Sequence, residues 1–313
     1  MLVLVTGGAG FIGSHIASRL LSDGHRVNVV DNLITGKIEN LDYLKSLNGD
    51  LHIHQVSITD YDELVKAFDG VEVVFHQAAL ASVPRSVANP RETNLHCVTG
   101  TLNVLDAARN SGVRRVVYAA SSSAYGDQDE RYQVETMVPA PISPYGVAKL
   151  AGEYYCQAFY ESYGLETVAL RYFNVFGARQ DPNSEYSAVI PKFITIMKDN
   201  KQPIIYGTGE QSRDFTYIDN IVHGNLLASE SDDAVGKMMN LATGECVSLL
   251  ELVDSVNNIL GTNIEPIHED ARIGDILHSQ ANVEKAENLL DFAPIVDFDE
   301  GLRRTIEWYA ENQ

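Results

Sequence analysis

The stretch Val5-Thr6-Gly7-Gly8-Ala9-Gly10-Phe11-Ile12-Gly13-Ser14 decides the fold of this chain. It follows an apolar run over residues 2–5 and opens a helical pattern over 11–23, so its glycines lie between a strand and a helix. Glycine permits a tight turn and lets the backbone approach a pyrophosphate, whose charge the helix N-terminus stabilises. The stretch therefore predicts a dinucleotide site, with a ligand-free glycine turn as the alternative.

Apolar runs alternate with helical patterns through the first half of the chain. The strand runs are 2–5, 26–30, 51–56, 71–75, 115–120 and 167–170, and the helical patterns are 11–23, 60–68, 93–110 and 145–163. This alternation predicts an α/β fold with a doubly wound parallel (Rossmann) sheet. Beyond residue 172 the helical patterns are separated by longer loops, which predicts a smaller C-terminal α/β substrate domain. We expect the NAD-binding domain over 1–172, with 218–235 returning to it, and the substrate domain over 173–217 and 236–313.

The chain is strongly acidic, with 23 basic against 43 acidic residues in 313 and a net charge of −20. Such a surface repels nucleic acid and anionic membranes, so an anionic substrate needs a local basic pocket. No apolar run approaches the roughly 18 residues that span a bilayer. Cys97, Cys156 and Cys246 form neither a disulfide framework nor a metal signature. We expect a cytoplasmic protein without a metal site.

The second strand ends at Asp31, 18 residues after Gly13. An acid at this place accepts hydrogen bonds from an adenosine ribose and repels a 2′-phosphate. Asn32 follows without an adjacent arginine, which favours NAD over NADP. A simple loop-forming role for Asp31 is the alternative.

Tyr145 and Lys149 are four residues apart in a helical pattern that begins at Ser143-Pro144, an N-cap serine followed by proline at the first helical position. That spacing places both side chains on one helix face, so the ammonium is expected beside the phenol. A nearby positive charge favours the phenolate, which can take a proton from an alcohol. The pair predicts alcohol oxidation near a basic group.

Further stretches extend the pattern: Asp31-Asn32-Leu33, His76-Gln77-Ala78-Ala79, the run from Ser121 to Gly126, and Arg171-Tyr172-Phe173-Asn174-Val175-Phe176-Gly177. With the glycine loop and the Tyr145/Lys149 pair, they resemble the extended short-chain dehydrogenase/reductase family over essentially the whole chain. Within that family the chain is most similar to nucleotide-sugar 4-epimerases, in particular those acting on UDP-N-acetylhexosamines.

The resemblance implies roles for single residues. Tyr145 would accept the proton of the sugar O4, Lys149 would hold the nicotinamide ribose, and Ser122, or next Ser121, would bond O4. A serine-rich strand end can also be turn chemistry. Ser57 stands where relatives often carry an adenine-binding Asp. The cofactor contacts implied are Gly7, Gly10, Phe11, Ile12, Gly13, Asp31, Asn32, Gly36, Ser57, Ile58, Gln77, Ala78, Ala79, Asn94, Tyr145, Lys149 and Tyr172.

The resemblance also implies a UDP-sugar site. In the family two arginines, here Arg213 and Arg272, clamp the pyrophosphate, as guanidinium groups can do bidentately. Two surface arginines in salt bridges are the alternative. Ser279 stands where glucose-restricted epimerases carry a bulky tyrosine, and so leaves room for a 2-acetamido group. The substrate contacts implied are Ser82, Ser122, Ser123, Asn174, Ala188, Val189, Ile205, Tyr206, Arg213, Arg272, Asp275 and Ser279.

These residues lead to the hypothesis of a reversible NAD-dependent 4-epimerase that passes through a transient 4-keto sugar. UDP-GlcNAc/UDP-GalNAc is the first substrate pair and UDP-glucose/UDP-galactose the runner-up. A sugar-nucleotide dehydratase would need acidic residues just after the active-site hydroxyl, where this chain has Ser123-Ala124. The Ser/Tyr/Lys set disfavours a non-catalytic NAD-sensing protein. The family further implies a homodimer through a four-helix bundle of 93–110 and 145–163, with ordinary core packing as the alternative.

Overall fold

The computed structural model describes residues 1–128, 130, 132–182, 189–270 and 278–312. The strands are β1 (Leu2–Thr6), β2 (Arg26–Val30), β3 (Leu51–His54), β4 (Val73–His76), β5 (Arg115–Ser121), β6 (Tyr132–Gln133), β7 (Glu166–Tyr172), β8 (Val175–Phe176), β9 (Ile204–Tyr206), β10 (Ser212–Arg213), β11 (Thr216–Tyr217), β12 (Lys237–Leu241), β13 (Val247–Ser248), β14 (Ile267–Glu269) and β15 (His278–Ala281). The helices are α1 (Phe11–Ser22), α2 (Ile38–Ser46), α3 (Tyr61–Leu64), α4 (Val83–Ala88), α5 (Pro90–Asn94), α6 (Gly100–Asn110), α7 (Pro144–Tyr163), α8 (Val189–Lys198), α9 (Ile218–Glu230), α10 (Leu249–Leu260), α11 (Glu284–Leu290) and α12 (Phe298–Asn312).

A seven-stranded parallel sheet organises the molecule, in the order β12-β7-β5-β4-β1-β2-β3. Thr6, at the end of β1, lies beside Val30 of β2 on one side and His76 of β4 on the other. The strand order reverses between β1 and β4, which is where open α/β sheets bind their ligands. The predicted Rossmann sheet is confirmed.

Both faces of the sheet are covered, which explains why its strands are continuous apolar runs. In β1, Val3 and Val5 belong to one apolar cluster and Leu2 and Leu4 to another, since successive side chains of a strand point to opposite faces. The first cluster continues into the C-terminal part, through Ile194 of α8 among others. The two parts of the molecule therefore share a core.

The smaller part gathers short strands from distant points of the chain. One sheet runs β13-β10-β15-β6, and two further pairs are β11 with β8 and β14 with β9. Helix α10 begins with a capping box, in which the Ser248 hydroxyl and the Glu251 carboxylate each bond the other's backbone N–H. In the described part of the chain, no helix is both long and apolar enough to cross a bilayer.

The structure differs from the sequence-based expectations in several elements, among them α4, which was not predicted. Strand β12 joins the large sheet beside β7, although we assigned 236–313 to the substrate domain. The sheet-forming part therefore extends to Leu241. Helix α2 was not predicted. The single helix expected over 93–110 is instead α5, a π-helical turn over Leu95–Thr99, and α6.

Candidate active site

The glycine loop closes the first strand onto the first helix. Gly7 has a φ of +72°, and its N–H donates to the Val30 carbonyl at 2.7 Å. A β-carbon on Gly13 would stand 2.2 Å from the Gly7 carbonyl oxygen, so a larger residue does not fit there. Gly10 is the N-cap of α1 and, being glycine, has no side chain to occupy the first N–H groups of the helix. These groups are available to an anion such as a pyrophosphate.

Asp31 both holds this loop and faces the cavity beside it. Its Oδ2 accepts the Ala9 N–H at 2.9 Å and its Oδ1 accepts the Leu33 N–H at 2.8 Å. Burial raises the pKa of the Asp31 carboxyl, and the two backbone bonds lower it. Each carboxylate oxygen keeps a further lone pair, so a ribose hydroxyl can still donate to it. The loop-forming and ribose-binding interpretations of Asp31 are thus compatible.

The Ser57 hydroxyl is engaged in its own turn. Its oxygen accepts from the Asn32 side-chain amide at 3.3 Å and from the Thr59 N–H at 3.2 Å, and it lies 2.8 Å from the Thr59 hydroxyl. The flanking apolar residues, Val56 and Ile58, line the cavity. This arrangement provides an apolar wall for a purine ring, with the Ser57 hydroxyl behind it.

A cavity opens where β1, β2 and β4 end. Eight of the predicted cofactor residues line it: Gly7, Gly10, Asp31, Asn32, Ile58, Gln77, Ala78 and Ala79. Phe11, Ile12 and Gly13 form the first turn of α1 behind the loop. Gly36 packs against the Asp31 carboxylate, where a β-carbon would stand 2.8 Å from Oδ1. The structure therefore brings most of the predicted cofactor set to one cleft at the switch point of the sheet.

Tyr172 contacts Gln77, a residue that lines this cleft. The Tyr172 hydroxyl oxygen lies 3.2 Å from the Gln77 side-chain oxygen and 2.9 Å from Asn225 Oδ1, and its single proton bonds one of them. The Gln77 amide in turn donates to the same Asn225 oxygen at 3.3 Å. Burial raises the pKa of the Tyr172 phenol. Tyr172 thus orients a residue of the cavity wall.

Ser121 interacts with Tyr145, since its hydroxyl lowers the pKa of the Tyr145 phenol. Ser121 ends β5, where its hydroxyl accepts the Ser123 N–H at 3.2 Å and lies 3.1 Å from the Ser123 hydroxyl. Tyr145 belongs to the first turn of α7, which Ser143 caps by accepting the Gly146 N–H at 3.1 Å, as the sequence predicts. A β-carbon on Gly146 would stand 2.5 Å from the Ser123 carbonyl oxygen. Glycine there lets the helix approach the serine turn closely.

Ser122 occupies a different position from its neighbour. It opens the 3₁₀ turn Ser122–Ala124 and is half-buried, and its carbonyl accepts the Tyr125 N–H at 3.0 Å. The strand ends one residue earlier than the serine we placed first. The serine that lowers the pKa of Tyr145 is Ser121, and which serine bonds the sugar O4 stays a prediction.

Lys149 is buried beneath the same helix. Its Nζ donates to the Ala119 carbonyl at 2.7 Å and lies 5.1 Å from the centre of the Tyr118 ring. Burial lowers the pKa of the Lys149 ammonium. Burial also raises the pKa of the Tyr145 phenol, an effect larger than the lowering by the Ser121 hydrogen bond. The described contacts of the ammonium are the Ala119 carbonyl and the Tyr118 ring, and the tuning of the Tyr145 phenol by Lys149 stays a prediction.

The π-helical turn Leu95–Thr99 changes which residues face the cleft. Asn94, predicted to contact the cofactor, is exposed at the end of α5, whereas His96 lines the cavity. The extra residue in a π turn rotates the positions that follow, and sequence periodicity does not reveal it. Cys97 is buried by that rotation, where its sulfur accepts the Leu80 N–H at 3.4 Å.

Arg213 and Ser279 lie side by side in the substrate part. They are directly paired in the parallel ladder of β10 with β15. Arg213 is half-buried, with one guanidinium nitrogen donating to the Ser212 carbonyl at 2.9 Å. The Ser279 hydroxyl is 3.5 Å from the Gln133 side-chain oxygen. The fold thus joins the predicted diphosphate-binding arginine to the predicted sugar-discriminating position.

The buried Asp214 carboxylate joins separate segments of the substrate part by hydrogen bonds. Its Oδ1 accepts the N–H and the hydroxyl of Thr243 at 3.0 and 2.8 Å, and its Oδ2 accepts the N–H groups of Gly244 at 2.9 Å and Ala281 at 3.3 Å. Burial raises the pKa of Asp214 to about 6 in spite of these four donors. Sequence reasoning missed this residue, although it directly follows Arg213.

Other predicted substrate residues are spread around the cleft. Ile205 is fully buried in the core, whereas Tyr206, the next residue of β9, is half-buried. Ser82 caps α4, and Asn174 is exposed with a φ of +29°, its amide donating to the Asp214 carbonyl at 3.0 Å. Val189 begins α8. Ala188, Arg272 and Asp275 lie outside the described residues.

The comparisons with known proteins agree with this geometry. The model of the NAD-dependent epimerase/dehydratase family matches residues 3–242. The UDP-N-acetylglucosamine 4-epimerase of Methanobrevibacter ruminantium M1, solved in complex with UDP-N-acetylmuramic acid, is 42% identical, with 99% of this chain and 98% of that chain covered and a TM-score of 0.94. The UDP-glucose 4-epimerase of Thermotoga maritima, solved with UDP-glucose, is 37% identical over 99% of each chain, with a TM-score of 0.93.

A curated relative has a third substrate in its name. The UDP-glucuronate 4-epimerase of Thermodesulfobacterium geofontis is 33% identical, with 99% of this chain and 96% of that protein covered. The similarity in each case extends over essentially the full length, so it includes both the cofactor cleft and the substrate part. The resemblance that the motifs carry is therefore confirmed, and this chain is an enzyme of the NAD-dependent epimerase/dehydratase family.

Proposed function

We propose that the protein catalyses the reversible 4-epimerisation of a UDP-hexose, with UDP-GlcNAc and UDP-GalNAc as its substrate pair. The observation that carries this proposal is the grouping of Tyr145, Ser121 and Lys149 where β5 meets α7: the Ser121 hydroxyl lowers the pKa of the Tyr145 phenol, and the buried Lys149 donates to the Ala119 carbonyl. Two hydroxyls that converge on one point are suited to a sugar alcohol. The similarity to an N-acetylglucosamine epimerase at 42% identity supports the choice of sugar.

The residues divide the chemistry between them. Tyr145, as phenolate, takes the proton of the sugar O4, and Ser121 donates to the same oxygen as its charge develops. Bound NAD supplies the acceptor for the C4 hydride. Lys149 lies in a site from which water is largely excluded, where its charge favours the phenolate more than it would in water. When the 4-keto sugar has turned to present its other face, the hydride would return to C4 and Tyr145 returns the proton to O4, so net redox is zero.

Arg213 anchors the UDP end in this proposal. A guanidinium in an acidic chain is well suited to phosphate oxygens, and its pairing with Ser279 sets a fixed distance between the anchor and the sugar wall. The family-implied partners Arg272 and Asp275 would complete the clamp. A strong hold on the diphosphate allows the sugar ring to turn while UDP stays in place.

The choice of sugar rests on the small side chain at Ser279. A serine there leaves volume that a tyrosine would fill, which favours a 2-acetamido group. A steric wall discriminates by only about 10- to 200-fold per group, so UDP-glucose and UDP-galactose are the second candidate pair. The 37% identity to a UDP-glucose 4-epimerase favours that alternative.

One experiment tests the proposal. Purified protein with NAD is incubated separately with UDP-GlcNAc, UDP-glucose and UDP-glucuronate, and the products are resolved by NMR. We expect UDP-GalNAc from the first at a higher kcat/KM than UDP-galactose from the second. Faster turnover of UDP-glucose would overturn the choice of sugar. Release of carbon dioxide or water from a substrate, without 4-epimerisation, would overturn the reaction class.

We also propose that the protein is a homodimer through the helices α5–α6 and α7. Large apolar side chains on their outer faces are exposed, including Leu95 at 46%, Val147 at 53% and Tyr163 at 55%. An exposed apolar stripe of this kind is typical of an interface. Light scattering is expected to give twice the chain mass. The double substitution Leu95→Glu/Val147→Glu should give monomers, whereas Ile267→Glu, exposed elsewhere, should not.

A further inference from the structure

A second cavity lies one helical turn beyond the catalytic lysine. It has a volume of about 390 Å³ and is walled by α7, β7, β12 and the segment before α7. Helix α7 packs on β5 and β7, and β12 extends the sheet past it, so the space above the edge strand stays open. Small-molecule sites commonly measure about 300–1,000 Å³. None of the residues that line this cavity belongs to the active site described above.

Arg171 is the central polar residue of this cavity. Its side chain is only 1% exposed, and two of its nitrogens bond the Glu153 carboxylate at 2.8 and 2.7 Å. The guanidinium also lies over the Tyr125 ring, 4.4 Å from its centre. The third nitrogen, Nη1, is buried without a hydrogen-bond partner among the described residues. Buried N–H groups are nearly always paired, so this one calls for an acceptor that a ligand in the cavity can provide.

Two lysines join Arg171 in the lining. Lys285 donates one N–H to the Met238 carbonyl at 2.5 Å, which leaves further donors on its ammonium. Burial lowers the pKa of Lys285, and the charges of Lys237 and Arg171 lower it further, whereas Glu135 raises it. The lining has three cations, Arg171, Lys237 and Lys285, against two carboxylates, so its net formal charge is +1 in a chain whose net charge is −20. Such a concentration of positive charge favours an anion.

Three of the four carboxylate oxygens in the lining accept a described hydrogen bond. Both oxygens of Glu153 accept from Arg171, and a Glu135 oxygen accepts the Asn240 N–H at 2.8 Å. The cavity thus offers more free donors than free acceptors. Its remaining surface includes the apolar side chains of Met137 and Leu150.

We propose that this cavity binds a small molecule with an oxyanion, either a carboxylate or a phosphate, attached to an apolar body. The oxyanion accepts from Arg171 Nη1 and from the ammonium groups of Lys237 and Lys285. The apolar body packs against Met137 and Met238. The ligand differs from the UDP-sugar and from NAD in its site, since neither the glycine loop nor Arg213 borders this cavity.

Binding is tested on NAD-loaded protein saturated with UDP, which occupies the substrate diphosphate site. Isothermal titration with inorganic phosphate and, separately, with benzoate distinguishes a phosphate from a carboxylate. At least one probe is expected to bind once per chain. In protein with ¹³C-methyl methionine, that probe should shift the signals of Met137 and Met238.

A matched pair of variants locates the binding. Lys237→Gln/Lys285→Gln should weaken it by about tenfold or more, since two charge-assisted contacts are lost. Lys66→Gln/Lys201→Gln makes the same change in net charge on exposed lysines elsewhere and should leave binding unchanged. Absence of binding by both probes, equal weakening in both double variants, or methionine shifts confined to other residues would overturn the proposal. Because the readout is binding, it stands apart from the outcome of the turnover assay.

Discussion

The cofactor half of the cleft is built from neighbouring residues, whereas the substrate half is built across long stretches of chain. In the first, Asp31 accepts N–H groups from Leu33 and Ala9, 2 and 22 positions away. In the second, Asp214 accepts from Thr243, Gly244 and Ala281, 29, 30 and 67 positions away. Both carboxylates are buried, and burial raises both pKa values.

This contrast shows two ways to build a binding wall. The glycine loop and Asp31 belong to one strand–helix–strand unit, so their geometry is set locally. The substrate wall exists only when β10, β15 and the chain after β12 have met. Loop-closure entropy grows only slowly with separation, so such long-range assembly is affordable in free energy, but it leaves little trace in local sequence.

The largest expected effect is at Tyr145, where the two halves meet. Tyr145→Phe removes the proton acceptor, so kcat should fall by about 10³-fold, within the range known for general acid–base groups. Calorimetry should show unchanged UDP binding, since Arg213 is untouched. Tyr154→Phe, on the exposed face of the same helix, serves as the control and should keep its activity. Near-normal turnover by Tyr145→Phe would contradict the assigned role.

The next effect compares the two aspartates directly. Asp214→Ala leaves four donors without their acceptor, and Asp31→Ala leaves two, so we expect losses of unfolding free energy of about 3 and about 1.5 kcal/mol. Urea denaturation measures both. Asp31→Ala should also weaken NAD binding without changing UDP binding, and Asp214→Ala should do the reverse. Equal losses of stability would break the contrast between the two halves.

A smaller effect is expected at Ser279, the residue that we propose lies beside the sugar. Ser279→Tyr should lower kcat/KM for UDP-GlcNAc by about 100-fold, because the ring fills the space for the acetamido group. Turnover of UDP-glucose in the same preparation is the internal control and should persist. Unchanged N-acetyl turnover would show that position 279 does not discriminate the sugar.

The smallest effect concerns the pH dependence. Burial raises the pKa of Tyr145, so the phenolate fraction, and with it kcat, should increase as pH rises above neutrality. The Ser121 hydrogen bond lowers this pKa, so Ser121→Ala should move the rising limb to higher pH, by up to about one unit. Ser122→Ala should leave the limb in place. The opposite result for the two serines would restore Ser122 as the partner of Tyr145.

The sequence predicted the glycine turn and the position of Asp31, because a strand, a glycine turn and an acid at the next strand end are a local pattern. The run Ser121-Ser122-Ser123 does not reveal where β5 ends, because the end of the strand depends on sheet packing. The π turn after Asn94 was not predicted, because sequence periodicity does not reveal it, and the roles of Ser122 and Asn94 stay predictions. The short strand β12 contains Lys237 and Asn240 and lacks the apolar run by which the other strands were recognised.

The Asp214 carboxylate has a mechanical consequence. Thr243 and Gly244 follow directly after β12, the edge strand of the large sheet, and Ala281 ends β15 of the small one. The Asp214 side chain therefore links the two sheets by hydrogen bonds, next to Arg213. Unfolding that separates β12 from the large sheet therefore also breaks hydrogen bonds to the segment that contains this arginine. Binding of the diphosphate and the pairing of β12 with the sheet should thus be lost in a single cooperative unfolding step.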